Sequence, residues 1–140
     1  MRWHRVSTAV VIVAACLVGC STDRSAASQI VVTTNILGDI TANIVGDQAE
    51  VTVLMKPETD PHSFGVSARE AAGMEGADLL VYSGLGLEEG VLRHVDAAEA
   101  AGVPTLPVGE RIEPIEYAPG RADPHYWTDP HRLRAAVDLI

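Results

Sequence analysis

The strongest constraint on this chain is a rhythm of four short apolar runs, separated by stretches carrying helix signals. The runs are Ile30-Val31-Val32-Thr33-Thr34, Val51-Thr52-Val53-Leu54-Met55, Asp78-Leu79-Leu80-Val81-Tyr82 and Val103-Pro104-Thr105-Leu106. Each is too short for a core helix and most are rich in β-branched residues, so they read as strands. Between the first two, Ile36, Leu37, Ile40, Ile44 and Val45 recur at helical spacing, with Asn35 as the expected cap and Gly46 as the stop. Ser67-Ala68-Arg69-Glu70 has the form of a capping box for a short helix through Met74 that Gly76 closes. A helix is predicted from about Leu87 to Ala101, with Leu92 and Val95 facing the core and His94 in solvent. Asp129-Pro130 starts a last helix, with Leu133, Ala136, Val137 and Ile140 as its apolar stripe. This alternation predicts an α/β fold: a parallel four-stranded sheet with flanking helices. Pro104 puts the fourth strand near an edge. The polar stretch from Gly109 to Ala122 reads as a long loop.

Ligands of such sheets gather at the loops beyond the strands' carboxyl ends. Ser83-Gly84-Leu85-Gly86 lies at one of these ends, but Glu89 stands where a dinucleotide fingerprint needs its third glycine. A repeated tripeptide is more informative: Asp60-Pro61-His62, Asp123-Pro124-His125 and Asp129-Pro130-His131. Proline fixes its own φ and drives the residue before it towards extended backbone, so each histidine is approached stiffly. That suits an imidazole aimed at a fixed point, as a metal ligand is. Asp-Pro also serves as an ordinary turn or helix start, so position separates the copies. His62 follows the second strand and His125 the fourth, and both reach the ligand edge. His131 falls in the first turn of a helix that its own Asp-Pro explains. The candidate metal ligands are therefore His62 and His125.

The chain carries a formal charge of −9, against the basic face that nucleic acid demands. Its first residues differ from the rest. Arg2 and Arg5 precede an apolar run of about 10 residues, half of what crosses a bilayer, which closes on Leu17-Val18-Gly19-Cys20. This resembles a bacterial lipobox, which implies a signal peptide over 1–19 and lipidation of Cys20. Cleavage there removes two of the 10 basic residues and none of the 19 acidic ones, moving the charge from −9 to −11. The small polar residues of 20–29 read as a flexible tether, and 30–140 as the folded lobe.

Lys56-Pro57 through Asp60-Pro61-His62-Ser63-Phe64, then Ala77 through Glu88, then Asp123-Pro124-His125-Tyr126-Trp127-Thr128-Asp129-Pro130 resemble the zinc- or manganese-binding solute-binding proteins of bacterial ABC uptake transporters. The resemblance covers 30–140 and corresponds to the N-terminal lobe of a two-lobe, periplasmic-binding-protein-like metal receptor. It implies metal binding by His62 and His125 and no ligand role for His131. It further implies Zn2+ or Mn2+ as transported ligand, an ABC permease as partner, and an extracytoplasmic, lipid-anchored location. The remaining two ligands come from a second lobe in that family, so 30–140 alone is expected to hold metal weakly. Two departures stand out. Gly65-Val66 replace an acidic residue and a proline, and the Gly109–Ala122 stretch lacks the histidines that many zinc-specific members carry.

Two other readings compete. A metal-dependent hydrolase needs a ligand-plus-base cluster such as His-Glu-x-x-His, which does not occur here. A surface adhesion lipoprotein without a metal role leaves the two histidine motifs unexplained. The reading is of a binding protein and not an enzyme.

Overall fold

Val31 and Val32 point to opposite faces of one sheet, and each face has its own core. Both lie in β1 (Ser28–Val32), the first strand of a computed structural model that describes residues 27–140. The expected signal peptide, Cys20 and most of the tether fall outside the described residues. With β2 (Ala49–Val53), β3 (Leu79–Tyr82) and β4 (Thr105–Pro107), β1 forms a four-stranded, wholly parallel sheet in the order β2-β1-β3-β4. Val32 sits opposite both Val53 and Val81, and Val81 opposite Leu106. The proline-bearing β4 is an edge strand, as its missing donor requires.

Helices α2 (Ala68–Glu75) and α3 (Leu92–Ala100) cover one face, closing Val31, Leu54, Met74, Leu80 and Val95 into a core. On the other, α1 (Asn35–Val45), α4 (Val108–Arg111) and α5 (Pro130–Leu139) enclose Val32, Leu37, Val81, Val108 and Ala136. The capping box holds: Ser67 Oγ accepts from the Glu70 N–H, and the Glu70 carboxylate accepts from the Ser67 N–H at 2.7 Å. Those bonds hold the Glu70 carboxyl below its ordinary range.

Four expectations need correction. The cap of α1 is Thr34, not Asn35, because Thr34 keeps extended backbone and its Oγ1 accepts from the Leu37 N–H. The helix expected from Leu87 begins only at Leu92; turns occupy 85–91, and fully buried Val91 takes the core place expected for half-buried Leu92. The Gly109–Ala122 stretch is not a loop. It holds part of α4 and an antiparallel hairpin of β5 (Glu116–Ala118) and β6 (Arg121–Ala122), turned at Gly120 with φ +69°. In α5, Ala136 is buried while Val137 is 41% exposed, and Leu139 packs where the stripe predicted Val137.

Strand order reverses between β1 and β3, so the ends of these two strands form the crevice where doubly wound sheets place ligands.

Candidate metal centre

All three Asp-Pro-His tripeptides make the same local bond. The aspartate Oδ1 accepts from the histidine backbone N–H two residues on, at 3.0 Å for Asp60–His62, 3.0 Å for Asp123–His125 and 2.9 Å for Asp129–His131. The motif is thus a backbone device wherever it occurs, and location decides the rest. Asp129 caps α5 and leaves His131 exposed on that helix. His94 accepts from Arg93 Nε on α3 and is half-buried there rather than fully solvated.

His62 and His125 come together as expected. Their Nε2 atoms stand 3.2 Å apart, with the rings edge-on at a centroid distance of 5.3 Å. Two imidazole nitrogens bound tetrahedrally to one Zn2+, each about 2.0–2.1 Å from the ion, stand about 3.3 Å apart by the same geometry. The pair is set at ligand spacing. Asp123 fixes the chemistry of one member. Its Oδ1 also meets His125 Nδ1 at 2.7 Å. The backbone and ring bonds from His125 hold the Asp123 carboxyl below its ordinary range, so it is an acceptor and Nδ1 carries the proton. In the neutral ring, Nε2 then presents its lone pair towards His62. Carboxylate-oriented imidazole of this kind is the common support of a metal ligand. The Trp127 ring abuts His125 edge-on, with centroids 5.4 Å apart.

The pair opens on a cleft of about 530 Å³ lined by Leu85, Glu89, Tyr117, Arg121 and Asp123 among others. Among the described residues no third His, Cys, Asp or Glu stands close enough to complete a metal set. The carboxylates of Asp60 and Asp123 are engaged with their own histidine segments.

Residues 30–140 match the family described as ZnuA, "Zinc-uptake complex component A periplasmic". The chain belongs to that family. A ZnuA-family relative, the manganese-binding lipoprotein MntA of Bacillus subtilis, is 35% identical over 141 residues, covering 89% of this chain and 43% of the relative. The periplasmic zinc-binding protein TroA of Treponema pallidum superposes with a TM-score of 0.74 at 25% identity, covering 79% of this chain and 41% of TroA. Zn(II)-bound AdcA of Streptococcus pneumoniae gives 0.69 at 28% identity, over 80% of this chain and 24% of AdcA. The chain spans under half the length of the relatives it matches.

One buried residue of the crevice carried no assigned role in the sequence. Glu88 is 1% exposed. Its Oε1 accepts from Thr33 Oγ1 and from the Ser83 N–H, both at 2.7 Å, and its Oε2 from the Gly84 N–H at 3.1 Å. Thr33 follows β1 and Ser83 follows β3, so Glu88 ties the two strand ends of the crevice together. Burial pushes its carboxyl above the ordinary range, against the pull of the Thr33, Ser83 and Gly84 bonds. Ser83 Oγ lies 3.5 Å from the Tyr126 hydroxyl, next in sequence to His125. Burial also pushes that phenol up to about 12. The Gly84-Leu85-Gly86 stretch, which failed as a nucleotide fingerprint, has φ of +72°, +56° and +76°, and only its middle residue carries a side chain. That left-handed run turns the Gly84 N–H onto Glu88 and sets Leu85 in the wall of the cleft.

Proposed function

We propose that residues 30–140 are the metal-capturing part of an extracytoplasmic substrate-binding component of a metal ABC transporter. The protein takes Zn2+ or Mn2+ as cargo and delivers it to an ABC permease in the membrane. One observation carries this reading: two imidazole Nε2 atoms at 3.2 Å, one with its lone pair oriented by a carboxylate. The names of its relatives print manganese, zinc and iron; imidazole suits zinc and iron, and oxygen ligands added from elsewhere would suit manganese. His62 and His125 are the ligands on this side. The remaining coordination positions face the open cleft, where ligands from another part of a longer receptor, or solvent, complete the shell. The protein is a carrier and not an enzyme, because the carboxylate nearest the pair orients His125 and is not free to activate water.

Anchoring is the second part of the proposal. Several relatives are named lipoproteins, and Leu17-Val18-Gly19-Cys20 matches the signal such proteins carry. Among the described residues no helix is long and apolar enough to cross a membrane. Lipidated Cys20 would hold the lobe at the outer face of the membrane through the residues ahead of β1, which takes up Ser28 and Gln29 of the expected 20–29 tether, with two or more acyl chains giving stable attachment.

Calorimetric titration with Zn2+ and Mn2+ tests the metal reading. His62→Ala and His125→Ala each remove most of the binding, while His94→Ala and His131→Ala bind as the parent does. A loss at His131 equal to that at His125 overturns the ligand assignment. For the anchor, bacterial expression of the parent and Cys20→Ser is followed by membrane fractionation. Equal release of both into the soluble fraction removes the lipid anchor.

A further inference from the structure

Glu88 is an unfavourable residue to bury where it stands. It is 1% exposed, and among the described residues no Lys or Arg pairs with it. The strands whose ends it joins already pair directly, β1 with β3, so holding the sheet together does not account for it. Its surroundings lead instead to both histidines. Towards His125, Ser83 gives its N–H to Glu88 Oε1 at 2.7 Å, and Ser83 Oγ lies 3.5 Å from the Tyr126 hydroxyl. Tyr126 is buried beside His125, whose carbonyl accepts from the Thr128 N–H at 3.1 Å and from Thr128 Oγ1 at 2.8 Å. Towards His62, the Val91 N–H donates to the Glu88 carbonyl at 2.9 Å, closing a turn that holds Gly90 against the Phe64 carbonyl with no room for a Cβ. The Phe64 N–H donates to the Asp60 carbonyl at 3.1 Å, so Phe64 and His62 share one closed turn. Thr33, whose Oγ1 donates to Glu88, also accepts from the Met55 N–H at 2.9 Å, at the root of the same loop.

We propose that Glu88 is a positioning residue of the metal pair: by seating the 83–91 segment against both histidine turns, it sets the separation of His62 and His125. The inference rests on the metal reading above and deepens it. Glu88 bonds to neither histidine. It acts through Ser83 and Tyr126 on one side and through Thr33 and the turn at Gly90 on the other. All three of its partners are donors, so Glu88→Gln keeps the volume but turns an NH2 group against one of them. The crevice then shifts, and the two Nε2 atoms leave ligand spacing.

The test takes two readouts on the full chain. One is the nuclear Overhauser contact between the His62 and His125 rings in the metal-free protein, and the other is Zn2+ affinity by titration. Both are taken where every variant is fully folded, so a change in global stability alone moves neither. In Glu88→Gln the ring contact weakens and the affinity falls about tenfold, the low end for loss of an orienting partner. Met74→Ala, a buried core change just before β3 begins, leaves both readouts as in the parent. Tyr126→Phe removes only the hydroxyl facing Ser83 and lowers affinity about threefold, the scale of one hydrogen bond. Combined with Glu88→Gln, its loss is less than additive. Should Glu88→Gln not fold, Tyr126→Phe alone decides. A parent-like ring contact or affinity in Glu88→Gln overturns the proposal, as does an equal loss in Met74→Ala or an unchanged affinity in Tyr126→Phe. Failure of the parent chain to bind Zn2+ instead overturns the metal reading beneath it, and the ring contact then still decides whether Glu88 sets the spacing.

Discussion

Glu88 Oε1 accepts from Thr33 Oγ1 at 2.7 Å, joining residues 55 apart in sequence at the crevice between β1 and β3. A carboxylate with three donors on it and almost no exposure is a keystone for these strand ends. Glu88→Ala leaves Thr33 Oγ1 and two backbone N–H groups without their acceptor. The expected cost is about 3–5 kcal/mol, as for other broken buried polar networks, read as a lowered urea midpoint.

The same residue predicts a pH dependence. The folded protein holds the Glu88 proton more tightly than the unfolded chain, whose reference value is 4.5. Stability from this group is therefore present below that value and is lost as pH rises through its raised folded value. Glu70, Asp123 and Asp129 run the other way, because their bonds lower them and their stability is lost as pH falls. The parent minus Glu88→Gln difference in unfolding free energy isolates the first effect. It should become less favourable to the parent as pH rises from 4.5; a difference flat or rising with pH contradicts the assignment.

Asp123→Ala removes the acceptor that sets the His125 proton on Nδ1. Metal affinity should fall about 10–100-fold, the usual range for an orienting partner of a ligand. Asp129→Ala loses an equivalent backbone bond at a helix start and should lower stability by about 1 kcal/mol with no change in metal affinity. Measuring affinity and stability on both variants separates a motif that serves the site from one that serves a helix.

Gly90 packs under the loop that bears His62. A Cβ there would lie 2.4 Å from the Phe64 carbonyl oxygen, a backbone atom that cannot swing aside. Gly90→Ala should cost about 1–3 kcal/mol by overpacking and weaken metal binding by shifting the 60–64 turn. Unchanged metal affinity in a destabilised Gly90→Ala protein means that the turn absorbs the shift before His62.

Thr41 offers a gain. Its Oγ1 is buried on α1 without a hydrogen-bond partner among the described residues. Thr41→Val keeps the shape and removes the unpaired hydroxyl, so thermal unfolding should show about 1 kcal/mol of added stability. A loss of stability would point to a bonded hydroxyl.

The sheet and the histidine pair were both legible in the residues, for different reasons. Ile30-Val31-Val32 and Leu80-Val81 are buried on both faces of the sheet, so composition alone marks them as strands. His62 and His125 stood out because loops after two strands converge at one edge. The cap of α1 was misplaced by one residue because Thr34 and Asn35 both suit the position, and only the backbone at Thr34 decides it. Helical spacing from Leu87 to Ala101 hid the turns at 85–91, where the tertiary pull on Glu88 overrides local preference. Glu88 closed the Ala77–Glu88 stretch of the resemblance but was given no role of its own in the sequence. The Gly84-Leu85-Gly86 turn just before it was the available signal, because such a turn leaves backbone N–H groups in need of an acceptor.

His62 leaves from β2 at one border of the sheet, and His125 arrives from the segment after β4 at the other. The pair therefore spans the full width of the sheet, and its consequence lies in time. The two members lie 63 residues apart in the chain, so on the proposed metal reading no ion can be shared between them until both border strands have docked. Occupancy of the pair would then report a sheet closed from border to border.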